Sequence, residues 1–82
     1  MLLNVIQINP QHFRANLLLG RILTLQHRAA DALPYLQQAE STEPNNFEPH
    51  AFLADAFEEL GEAQKAATER TRAQNLKQYG KP

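Results

Sequence analysis

The stretch FRANLLLGRILTLQHRAADALPYLQQAESTEPNN, residues 13–46, runs directly into FEPHAFLADAFEELGEAQKAATERTRAQNLKQYG, residues 47–80. Laid one above the other, the two stretches match. Phe13 falls on Phe47, Leu19 on Leu53, Ala29 on Ala63, Ala32 on Ala66 and Ala39 on Ala73. Pro10 and Pro44 keep the same offset, Gly20 falls on the small Ala54, and Leu23 falls on the large Phe57. A fixed period of this length, with no insertion, marks stacked supersecondary units that cannot bury their apolar faces alone.

Each unit divides into two helices. Ala15, Leu18, Leu19, Ile22 and Leu23 recur at helical spacing over about Phe13 to Gln26. A break follows at His27-Arg28, and Ala32, Leu33, Leu36 and Ala39 stripe a second helix over about Ala29 to Thr42. The next unit repeats the plan, with helices over about Phe47 to Leu60 and about Ala63 to Tyr79. Asn45-Asn46 offer a side-chain cap for the amides exposed at a helix start. Pro49 sits in a first turn, where its missing N–H costs little. Gly61 and Gly80 suit the left-handed conformation that ends a helix. Pro34, inside a second helix, should remove one backbone hydrogen bond and bend the axis.

Composition agrees with an all-α chain. Glycine numbers only 3 in 82 residues, so the chain has few helix breakers of that kind. Alanine, leucine, glutamine and glutamate dominate, and these lose little side-chain freedom in a helix. Cysteine is absent, so neither a disulfide framework nor a thiolate metal site is available. A formal net charge of -1 argues against a nucleic-acid binder, which needs a basic surface to neutralise phosphates. No apolar run approaches the roughly 18 residues that span a bilayer. Met1-Leu2-Leu3-Asn4 lacks the basic region of a signal peptide, and the compartment is left open.

The small and large positions of the repeat resemble those of the tetratricopeptide repeat family, whose unit is two antiparallel helices in roughly 34 residues. Small residues occupy that family's eighth, twentieth and twenty-seventh places, and here these are Gly20, Ala32 and Ala39, then Ala54, Ala66 and Ala73. Leu19 and Leu53 fill the large seventh place, Leu23 and Phe57 the eleventh, and Pro44 the thirty-second. The resemblance implies an α-solenoid of helix hairpins spanning residues 1–82 as one domain. Residues 2–9 would be a partial helix of a preceding repeat, 13–46 one repeat, and 47–79 another that ends in a polar solvating helix. The chain departs from the pattern at the fourth place, usually aromatic, which is Asn16 and then His50. The turn glycine is His27 in the first unit and Gly61 in the second, and the twenty-fourth place is Leu36 and then Arg70. An arginine there suits a final helix with nothing stacked beyond it, so the chain reads as the C-terminal end of a longer array, or a piece cut from one.

The resemblance also implies a function: first helices line a concave groove that holds a peptide or a partner helix. The family's groove-facing places are Arg14, Leu17, Arg21, Thr24 and Leu25 in one unit and Glu48, Ala51, Asp55, Glu58 and Glu59 in the other. Arg14 should face Glu48, and Arg21 should face Asp55. Either the groove is bipolar, for a partner carrying both signs, or these pairs neutralise each other between adjacent helices. Leu17 and Leu25 are either anchors for a ligand's apolar side chains or contacts for a preceding helix. The places of the clamp by which some members grip a C-terminal carboxylate read Leu17, Arg21 and Phe52, which argues against that partner class.

Catalysis is not expected. His27 and Asp31 share one helical face at i,i+4, but two ligands make a weak metal site. Asp55, Glu58, Glu59 and Glu62 form an acidic cluster without the pocket that would drive two carboxylates apart in pKa. Ser41 is the only serine and lacks a nucleophile elbow, and no phosphate-binding glycine loop or other cofactor motif occurs. The leading expectation is therefore a non-enzymatic scaffold with protein partners and no cofactor. Its alternative is a self-association module, in which apolar Leu2, Leu3 and Ile6 bury themselves in a second copy as a homodimer.

Overall fold

The computed structural model describes residues 12–79. Among them are four helices and no strand: α1, Phe13–Leu25; α2, Ala29–Thr42; α3, Phe47–Glu59; and α4, Ala63–Tyr79. None is long and apolar enough to cross a membrane. These spans agree closely with the sequence reading. Gln26 and Leu60, expected as last helical residues, serve instead as the C-caps of α1 and α3. α2 continues through Pro34 without interruption.

Equivalent residues do equivalent work in the two units. His12 caps α1, its Nδ1 accepting from the Ala15 N–H at 3.1 Å. Asn46, at the equivalent place of the second unit, caps α3, its side-chain oxygen accepting from the Glu48 N–H at 2.9 Å. The turns within the hairpins match as closely. The Arg28 N–H donates to the Leu23 carbonyl at 2.8 Å and the His27 N–H to that of Thr24 at 3.0 Å. The Glu62 N–H donates to Phe57 at 2.8 Å and the Gly61 N–H to Glu58 at 3.1 Å. Both are Schellman closures, which satisfy carbonyls a helix end would otherwise leave bare. Gly61 supplies the required positive φ of 77°, while His27 adopts the same conformation at φ 60° with a side chain attached.

The first hairpin closes around a missing side chain. A Cβ on Gly20 would overlap the side chain of Leu36, which is wholly buried. α1 and α2 therefore approach closely enough for Leu36 to fill the space over residue 20. The second hairpin carries Ala54 and Arg70 at these places, and Arg70 turns outward instead. The core runs through both hairpins and is made of leucine and alanine: Leu17, Leu23, Ala29, Ala32, Leu36, Ala39, Leu53 and Ala56. Phe13, Leu19, Leu33, Tyr35, Phe52 and Phe57 pack around it. α4 is polar and buries Ala66, Glu69 and Ala73.

At the fourth place of the second unit, His50 is buried and binds neighbours on both sides. Its Nδ1 lies 2.7 Å from Glu69 Oε1 of α4, and its Nε2 lies 3.8 Å from Glu40 Oε2 of α2. An ionised carboxylate only accepts, so Nδ1 carries the hydrogen given to Glu69. Arg72 holds the other Glu69 oxygen at 3.3 Å. The imidazole thus binds the second hairpin together from within while facing the first. In the first unit, Asn16 is buried at the same place, its Nδ2 donating to the His12 carbonyl at 3.0 Å.

The turns and this polar contact make two stability predictions. His27→Gly should raise stability by ~0.5–1 kcal/mol by relieving the left-handed residue, and Gly61→Ala should lower it by ~1 kcal/mol. Nothing stands within 4 Å of a Cβ at Gly61, so only its backbone is tested. Urea midpoints measure both, and equal shifts of one sign would contradict the shared turn geometry. Glu69→Leu should cost about 1–3 kcal/mol by leaving the His50 N–H buried without its acceptor. In a double-mutant cycle, His50→Leu added to Glu69→Leu should cost less than the two single changes together. Additive costs would contradict a direct coupling.

Candidate functional site

Helices α1 and α3 lie against each other, and α2 lies against α3, whereas α2 and α4 do not meet. Two hairpins stacked this way are closed up along their first helices and open along their second. The first helices therefore line the inner side of the bend, and the side chains there come from α1 and α3.

Along this face, Arg14 and Glu48 stand opposite each other at 3.8 Å, and the Arg14 guanidinium also lies 5.9 Å from the centre of the Phe13 ring. Further along, Arg21 does not pair with Asp55. Its guanidinium lies over the Phe52 ring, 5.7 Å from the centroid. Asp55 turns instead toward Arg70 of α4 at 3.8 Å, and Arg70 binds Glu58 at 3.0 Å. Arg21 is the one arginine among the described residues without a carboxylate partner. The Arg14 and Arg70 pairs are largely exposed, where an ion pair contributes only ~0–1 kcal/mol, so they orient side chains more than they hold the fold.

Where α1 and α3 end, the walls part around a cavity of about 400 Å³ lined by Arg21, Thr24, Leu25, His27, Phe52, Asp55 and Glu59. Leu25 is 68% exposed, more than any other large hydrophobic residue described. The Thr24 hydroxyl donates to the Gly20 carbonyl at 2.8 Å, which folds it against its own helix. His27 Nδ1 lies 2.6 Å from Glu59 Oε2, spanning the mouth from the α1 turn to the end of α3.

Leu17 is a correction. Named as a partner-binding residue, with contact to a preceding helix as its alternative, it is fully buried, in the cluster that joins Leu36 of α2 with Leu53 and Ala56 of α3. A leucine so placed gains ~1.5–3 kcal/mol from burial and offers no surface to a ligand. Arg14, Arg21, Leu25, Glu48, Asp55 and Glu58 all retain exposed or half-exposed positions on α1 and α3. Leu2, Leu3 and Ile6 lie outside the described residues. Two participants escaped the sequence reading: Phe52, seen there only as a departure from the clamp pattern, and Arg70, placed only on a terminal face. The available signal for Arg70 is its place across the hairpin turn from Glu58, where two antiparallel helices bring opposite charges together.

Among the described residues, no group of three His, Asp or Glu side chains is placed to hold a metal ion. His27 and Asp31 do not converge; His27 meets Glu59, and Asp31 meets Arg28 at 3.0 Å. A family model described as tetratricopeptide repeat matches residues 23–73. No curated protein and no solved structure matches the chain. With more than half of its length matched, and with hairpins, caps and turns recurring at one fixed interval, the chain belongs to the tetratricopeptide repeat family.

Proposed function

We propose that this chain is a protein-interaction scaffold that holds a peptide or a partner helix against the inner face formed by α1 and α3. Repeats of this family generally mediate protein–protein interaction and are typically non-enzymatic. The observation that carries the finer reading is Leu25, 68% exposed beside the cavity of about 400 Å³ at the end of the groove. Exposed apolar side chains in a concavity with a charged rim are the natural seat of an anchor residue, because an anchor there loses water on all sides. Arg21, Asp55 and Glu59 give the rim both signs of charge, and Arg14, Glu48 and Glu58 extend them along α1 and α3, which sets orientation and register more than affinity.

The alternative, self-association, rests on Leu2, Leu3 and Ile6, and the groove does not depend on it. Peptides selected from a random display library against the full chain test the groove. Leu25→Ser should weaken the selected peptides about tenfold or more, equivalent to ~1.4 kcal/mol of lost contact. Ile22→Ser, an exposed apolar residue of α1 outside that cavity, should leave binding unchanged. Equal losses for both variants, or none for either, would remove the groove as the binding face.

A further inference from the structure

We propose that the partner presents a basic side chain next to a large apolar one, with the apolar group seated on Leu25 and Phe52 and the cation at Asp55 and Glu59. This rests on the groove reading above and adds the chemistry of the occupant. Charge is out of balance at one end of the groove. Asp55, Glu58 and Glu59 are three carboxylates at the end of α3, and the cations near them are Arg21 and Arg70. Arg70 is already taken up by Asp55 and Glu58. Arg21, on the α1 wall, is stacked on Phe52. The described partner of Glu59 is His27, which offsets its charge only when the imidazole is protonated.

The backbone adds to this in the same direction. α1 and α3 both end here, each with the negative end of its helix dipole, and neither has a basic residue in its last turn. The mouth of the cavity therefore combines surplus negative charge with an uncovered leucine and the ring of Phe52. A lysine or arginine of the partner would pair with Glu59 at the negative ends of the two helix dipoles, while its apolar neighbour would cover Leu25. An acidic residue in that position would meet the carboxylates of Asp55 and Glu59 and two helix C-termini, against the Arg21 guanidinium held on a ring and the Arg70 guanidinium shared between Asp55 and Glu58.

The test uses four labelled dodecapeptides in a neutral Gly, Ser and Gln frame, differing only in a central Leu-Lys-Leu, Leu-Glu-Leu, Leu-Gln-Leu or Ser-Lys-Ser. Fluorescence anisotropy against the full chain gives affinity, and amide shift perturbations give the place of binding. The Leu-Lys-Leu peptide should bind about tenfold more tightly than Leu-Glu-Leu, with perturbations centred on Thr24, Leu25, Phe52 and Glu59. Its advantage should shrink as salt is raised from about 50 to about 500 mM. Glu59→Gln should reduce the advantage several-fold, and Leu25→Ser should weaken the leucine-containing peptides alike without touching the charge preference. If Leu-Glu-Leu binds as tightly or more tightly at the same amides, the basic partner is wrong and the groove survives. If no peptide binds at millimolar concentration, or the perturbations fall elsewhere, the groove reading fails and this inference fails with it.

Discussion

Leu36 occupies the space that a side chain on residue 20 would need, and the rest of the arrangement depends on that contact. Helices whose facing residues are glycine or alanine can bring their backbones together, and the leucines beside them then interlock. Ala32 and Ala39 of α2 and Ala54 and Ala56 of α3 keep the same close approach, each with essentially no exposed surface. A core built this way is thin, and one hairpin cannot close it. The second hairpin is needed to cover the first, which is why the pattern has to repeat at a constant interval.

The bend follows from how the hairpins are joined. α1 meets α3 while α2 and α4 stay apart, so the inner face is narrow and the outer face spread. His50 stands at this junction. Buried between Glu69 on its own hairpin and Glu40 on the preceding one, it replaces the aromatic packing usual at its place with directed polar contacts. The 2.7 Å hydrogen bond to Glu69 ties α3 to α4 within the second hairpin, while the 3.8 Å approach to Glu40 faces the first.

The fold was legible because its signals are local. The cap at Asn46, the turns at residues 26–28 and 60–62, and the small residues recurring at the repeat interval each follow from a few neighbours in sequence. His27 shows how far this reaches: the family glycine is missing, yet the turn keeps its shape, since histidine is among the residues that tolerate positive φ. The groove was less legible because it depends on how one helix is rotated against another. Periodicity places Leu17 and Leu25 on the same side of α1, but Leu17 is covered by the core and Leu25 is not. Charge pairing failed at Arg21 for a related reason. Equal places in two repeats put Arg21 near Asp55, but Phe52 offers the guanidinium a ring and Arg70 reaches the carboxylate from α4.

Every property of the groove requires that the first helices form the inner side of the bend. Because the chain has no cysteine, spin labels can be placed at chosen residues without removing any. Labels at Thr24→Cys and Glu58→Cys report the separation of α1 and α3, and labels at Ala30→Cys and Gln64→Cys report that of α2 and α4 near the same end of the hairpins. Double electron–electron resonance should give a clearly shorter distance for the first pair. Equal distances, or a shorter one for the second pair, would mean that α1 and α3 do not enclose a groove.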